Sequence, residues 1–181
     1  MNLSFPSGRL SKTSKALSIS SPIEEKIAWA EACYQTSGRQ LHEDETVFTL
    51  LDKLKKAIHA SHAEMVETGI AELCEQCERD EGGSCCGAGL ENRYDGWLLL
   101  INLLLTGDIP RTRRDPRSCF FLGEKGCLLQ ARQVICINYI CRKITDRIDP
   151  AKINTLREKE GEEVNLLFLL HEHIKKVLVR L

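Results

Sequence analysis

The sequence predicts an all-α fold, an irregular helical domain around a cysteine-rich, loop-rich metal-binding centre. Three observations carry this reading. Apolar residues recur at helical spacing through most of the chain, no stretch alternates as a strand does, and eight of the nine cysteines fall between residues 74 and 141 among turn glycines. With 181 residues, 43% of them apolar and 28% charged, the chain is of single-domain size and can bury an ordinary core without cysteine staples.

Residues 1–21 are Ser-rich and without periodicity, which predicts a mobile N-terminal tail ahead of a single helical domain over 22–181. Ser21-Pro22-Ile23-Glu24 combines an N-cap serine, a proline at the first helical position and a glutamate placed for a capping box, so a helix is expected over about 22–36, stopping near Gly38. Val47, Leu51, Leu54, Ile58 and Met65 form one stripe, predicting a single long amphipathic helix from 44 to about 73 that delivers the chain to Cys74. Glycines then surround the next cysteine pair, a loop composition.

Residues 94–106 are apolar on nearly all sides, as in a helix enclosed by others, with Gly107 as its C-cap. Residues 109–117 hold two prolines and four arginines and are expected as a solvated loop. Val134, Ile137, Cys141, Ile144 and Ile148 predict a helix over 132–148. Asp149-Pro150 starts the next one, Gly161 is expected to bend or break it, and Val164, Leu167, Phe168, His171, Ile174 and Leu178 mark a final amphipathic helix.

The net charge of −1 supplies no bulk attraction to nucleic acid or to an anionic membrane surface. The longest apolar run, residues 97–105, is interrupted by Asn102 and falls short of the roughly 20 residues a bilayer requires. The first residues lack the apolar core of a secretory signal, so the expected compartment is the reducing cytoplasm, where clustered cysteines more often hold metal than form disulfides.

The cysteines stand in two groups: Cys74, Cys77, Cys85 and Cys86, then Cys119, Cys127, Cys136 and Cys141. A tetrahedral zinc takes four thiolates and so does a cubane iron–sulfur cluster, so each group could fill one centre, or the two could share ligands. Cys74 and Cys77 form a C-x2-C chelate pair. Adjacent Cys85 and Cys86 point in different directions in most backbone conformations and are expected to serve different metals, unless one ligates while the other packs or reacts. Eight thiolates exceed what one structural zinc needs, and glycine-rich loops offer N–H bonds to sulfur, which favours iron–sulfur; two zinc ions satisfy the count equally. Cys33 is expected to be an ordinary core thiol. His59, His62, His171 and His173 are assigned no ligand role.

This order of cysteines resembles the YkgJ-like, or CxxCxxCC, family of small bacterial and archaeal proteins described as zinc- or iron-chelating. Cys74-Glu75-Gln76-Cys77 with Cys85-Cys86 resembles its first block, and Cys119-Phe120-Phe121-Leu122 with Gly126-Cys127 resembles its C-x-F-L and G-C element. Arg132, Cys136 and Tyr139 fall where the family has an arginine, a cysteine and an aromatic residue, while Gln130, Gln133 and Ile137 depart from its pattern. The resemblance spans residues 74–141 and implies metal binding through the retained cysteines.

The leading expectation is a metal-binding protein whose thiolates hold an iron–sulfur cluster or Zn2+. One alternative is a metal-dependent enzyme or electron carrier in which the cluster reacts, and another is a thiol redox sensor built on the vicinal pair. No nucleophile elbow, phosphate loop, dinucleotide fingerprint or zinc-protease motif is present, so catalysis could enter only through the metal.

Overall fold

Residues 23–67 form two helices, α1 (Ile23–Glu43) and α2 (Glu45–Glu67), separated at Asp44. A computed structural model describes Ser18, residues 20–81 and residues 85–180; the expected tail lies outside these apart from Ser18, Ser20 and Ser21. Pro22, not Ser21, occupies the N-cap of α1 and no side chain caps it, so the expected capping box does not form. Helix α1 also runs through Gly38 instead of stopping there. Gly38 is buried, and a Cβ on it would stand 2.9 Å from the Tyr34 ring, so the glycine serves close packing rather than termination.

Asp44 starts α2 by accepting a hydrogen bond from the Val47 N–H at 2.9 Å, and it also lies 3.1 Å from His173 Nε2. The Val47 N–H bond, aided by His173, holds the Asp44 carboxyl below its usual range, although partial burial opposes it. Asp44→Ala is expected to cost about 1 kcal/mol, the ordinary value of a cap. The carboxylate's contribution is complete above its unfolded-state pKa and disappears as pH falls through the lower folded-state value. Urea unfolding from pH 7 to pH 3 checks this: the gap between wild type and variant should narrow only at the acid end.

Thr68 and Gly69 interrupt the expected long helix. Gly69 adopts φ +80°, a left-handed conformation that favours glycine, and its N–H bonds to the Val66 carbonyl, so the chain restarts as α3 (Ile70–Glu81). A 3₁₀ turn, Leu90–Arg93, leads to α4 (Gly96–Thr106), where Asp95 caps the first turn and Gly107 at φ +79° closes the last. Leu98 through Leu104 are all buried, as the unbroken apolar run predicts. The segment expected as one helix over 132–148 divides into α5 (Val134–Asn138) and α6 (Arg142–Thr145), with Tyr139 to Cys141 extended between them. Gly161 does not break the last helix, α7 (Pro150–Arg180), which continues along α2 in the most extensive helix pairing of the molecule. Packing of Leu166, Leu167, Leu170 and Ile174 into the core outweighs the roughly 1 kcal/mol that a helical glycine costs.

Helix α1 lies on α4, α2 on α7, and the principal core fills the space among them. Trp29 of α1 meets Trp97 of α4 edge to face at 4.8 Å, and Trp97 is flanked in turn by His171 of α7. A second, small core of Ile70, Ile144 and Leu156 ties α3 and α6 to α7. The expectation of no strand fails at one place: β1 (Leu122–Gly123) pairs antiparallel with β2 (Gly126–Cys127), and Gly126 takes φ +113° in the turn. The fold is thus mostly helical, as expected, with a two-residue hairpin. Among the described residues no helix is long and apolar enough to cross a membrane.

Candidate metal centre

No disulfide joins any of the nine cysteines. Cys74 and Cys77 sit one turn apart on α3, a separate helix where the end of one long helix was expected, and both are half-buried. Cys85 is exposed, whereas its neighbour Cys86 is half-buried and packs on the principal core. Cys119 is buried in that core, Cys127 lies in β2, Cys136 in α5, and Cys141 occupies the N-cap of α6. Cys33 packs against the core from α1, where burial alone raises its pKa.

Backbone hydrogen bonds bring the two loops together. The Cys119 N–H donates to the Cys86 carbonyl at 2.7 Å, and the Ala88 N–H donates to the Arg117 carbonyl at 2.9 Å beside a bridge between Gly87 and Ser118. Glu91 locks the same junction. Its carboxylate accepts from the Gly89 N–H at 3.0 Å and the Phe120 N–H at 3.4 Å, and it pairs with Arg113. Arg113 also donates to the Ser118 carbonyl and lies over the Phe120 ring, so one of the four arginines expected in a solvated loop is an internal tether.

Beyond Cys119, the Leu122 N–H donates to the Cys119 carbonyl at 3.0 Å, and Leu122 is the hairpin partner of Cys127. Tyr94, 1% exposed, joins this set to α5: its hydroxyl accepts from the Gln133 N–H at 3.2 Å and lies 4.0 Å from Cys136 Sγ. On the other side, Cys74 and Cys141 pack against the same small core, and Lys143 Nζ lies 3.5 Å from Cys77 Sγ.

Crowded thiols in a dry setting hold their protons. Burial first, then neighbouring Cys85, Cys141 and Cys77, pushes Cys74 up to about 11, and burial likewise takes Cys119 to about 11. The Cys86 thiol is raised still further by its hydrogen bond with Cys85 and by burial. Burial raises Cys136 and also Cys127, whose sulfur is desolvated although the residue as a whole is exposed. Removing protons from such a set becomes favourable only when a cation takes their place.

Arg132 supplies a sign that the sequence pattern alone did not single out. It is 8% exposed, and its charge reaches Cys74, Cys127 and Cys136, lowering their pKa values against the dominant effect of burial. Its Nη1 donates to Met65 Sδ at 3.7 Å, but Nε and Nη2 are buried without a hydrogen-bond partner. Glu160 and Glu163 on α7 also feel this charge, and Oε1 of Glu163 is likewise unpartnered. A buried guanidinium with two idle nitrogens is costly unless an anionic group faces it. The donor chemistry therefore fits a thiolate-bound cation, whose net negative charge would complement Arg132. As they stand, no three His, Cys, Asp or Glu side chains among the described residues form a group that could hold a metal ion.

Fold and site together define a mostly helical chain with cysteines at the junction between its helices and its central loops. No family model, curated protein or solved structure matches the chain.

Proposed function

We propose that this protein binds metal, holding an iron–sulfur cluster or Zn2+ through thiolates of the eight clustered cysteines. The observation that supports the reading is that thiols from α3, the hairpin and α5, Cys74, Cys127 and Cys136, lie within electrostatic reach of the buried Arg132, whose Nε and Nη2 lack hydrogen-bond partners. Sulfur bonds of about 2.3 Å would draw these side chains inward from their present positions. A bound zinc would act as a structural tie, and a bound cluster would add one-electron chemistry. Purification without air or chelators, followed by elemental analysis and a visible spectrum, tests the proposal. Iron with acid-labile sulfide and a brown chromophore, or zinc in a colourless protein, supports it; native protein free of both metals refutes it.

The second reading, an electron carrier or metal-dependent enzyme, draws on a cleft of about 520 Å³ beside α5. Arg93, Asp95, Gln133, Phe168 and His171 line it, and Gln133 is bonded to the Tyr94 hydroxyl that faces Cys136. A mostly apolar cleft with a few polar side chains, close to the proposed ligand Cys136, suits an approaching small molecule. A dithionite-reducible chromophore whose spectrum shifts with an added ligand would favour this reading over a purely structural centre.

A further inference from the structure

We infer that the eight thiols form two centres whose membership crosses the sequence groups: Cys74, Cys77, Cys85 and Cys141 in one, and Cys86, Cys119, Cys127 and Cys136 in the other. This rests on the metal-binding reading and specifies its ligands. Three kinds of geometry separate the sets. The first is packing: Cys74 and Cys141 lie on the small Ile70, Ile144 and Leu156 core, whereas Cys86, Cys119 and Cys136 lie on the principal one.

The second is main-chain linkage. Cys86 is bonded directly to Cys119, Cys119 to Leu122, and Leu122 pairs with Cys127, which makes one hydrogen-bonded frame for three of the four. Tyr94 joins Cys136 to that frame, its ring edge to face with Phe121 at 5.1 Å and its hydroxyl 4.0 Å from Cys136 Sγ. The third is the α5–α6 break. Cys136 and Cys141 would both project from one continuous helix, but the extended residues between α5 and α6 carry Cys141 to α3, where Lys143 reaches Cys77. The mutual influence of the thiols falls mostly within the same sets and crosses between them only at Cys85: Cys74 senses Cys85, Cys141 and Cys77, Cys119 senses Cys127 and Cys136, and Cys85 also acts on Cys86 and Cys136.

Cys85 and Cys86 then stand at the seam. Each belongs to its own centre, yet their side chains are hydrogen-bonded, so the two centres are adjacent. Arg132, within electrostatic reach of Cys74 on one side and of Cys127 and Cys136 on the other, is a shared counter-charge. As metal binds, each thiol gives its proton to solvent and its sulfur becomes a donor, with no change of oxidation state.

Metal content of full-length variants, purified anaerobically, decides the matter. The pair Cys74→Ser with Cys141→Ser should retain half the metal of wild type, and so should Cys119→Ser with Cys136→Ser. The pair Cys136→Ser with Cys141→Ser, close in sequence but assigned to different centres, should retain less than about a tenth, because each substitution opens a separate four-thiolate shell. Since such variants could misfold, wild-type protein is also treated with limiting chelator and iodoacetamide, and labelling is mapped by mass spectrometry. Cysteines should become reactive in the two sets of four named above. Retention of half the metal by the 136/141 pair, a wild type with only one centre's worth of metal, or labelling of all eight in step overturns the division. A wild type without metal overturns the metal-binding reading itself.

Discussion

Removing metal from the proposed thiolate centre is expected to release amide exchange across the loops of residues 85–93 and 107–141 by a hundredfold or more, which corresponds to about 2.7 kcal/mol of lost local stability. The segments concerned have little regular structure of their own: a hairpin of two-residue strands, the five-residue α5 and a 3₁₀ turn, tied by a few backbone bonds and by Glu91. Structural thiolate sites contribute about 10–16 kcal/mol of apparent binding energy in small zinc peptides, so even a fraction of that dominates such a region. Helices α1, α2, α4 and α7 share the principal core and should keep most of their protection. Hydrogen exchange followed by mass spectrometry, on loaded and chelated protein, measures this directly. Identical exchange in the two states would show that the loops are held without metal.

Asn102→Leu is expected to destabilise the loaded protein by about 4 kcal/mol, close to the cost of leaving two buried backbone groups unpaired. Asn102 is 1% exposed at the centre of α4, and its carboxamide reads the backbone of Ala131 twice. It donates to the Ala131 carbonyl at 2.9 Å and accepts from the Ala131 N–H at 3.0 Å, while also donating to Leu98 within its own helix. Leucine fills much of the same volume but satisfies neither group. The urea midpoint should fall with the slope unchanged. Because Ala131 precedes Arg132 and lies between Cys127 and Cys136, metal retention should weaken together with stability. A midpoint shift equivalent to less than about 1 kcal/mol would mean that water replaces the carboxamide without loss.

Asn102 also illustrates how sequence reading can misplace the interest of a residue. In the apolar run it looks like an interruption, a reason against a membrane span. Its partner is 29 positions away, and no local pattern encodes that pairing. Arg132 was visible only as one basic residue in a motif; its idle nitrogens emerge from burial against α2 and the thiols. Glu91 and Arg113 were similarly hidden, one in a turn and the other among arginines expected to face water.

The helix boundaries divide in a physically consistent way. Gly107 ends α4 as expected because a left-handed residue there closes the last turn without competing contacts. Gly161 remains helical because packing of α7 into the core exceeds the small conformational cost of glycine, and Gly38 is buried under the Tyr34 ring of its own helix. Gly69 lies inside the helix expected over 44–73, but its positive φ turns the chain and places Cys74 and Cys77 on a separate short helix. The 132–148 helix failed for the complementary reason. Its apolar periodicity is real, but Ile137 faces the core while Ile144 turns into the small Ile70–Leu156 cluster, and one straight helix does not serve both.

From the sequence by itself came the helical class, the enclosed apolar α4, the start of α7, and the density of sulfur donors. Each depends on local composition or on short-range spacing, which the chain carries wherever it folds. Which loops meet, which thiols neighbour one another, and which polar side chains are left facing the cysteines were decided only by tertiary packing. Those relations join residues tens of positions apart, and their energies appear only when the α2–α7 and α1–α4 pairs close around the loops.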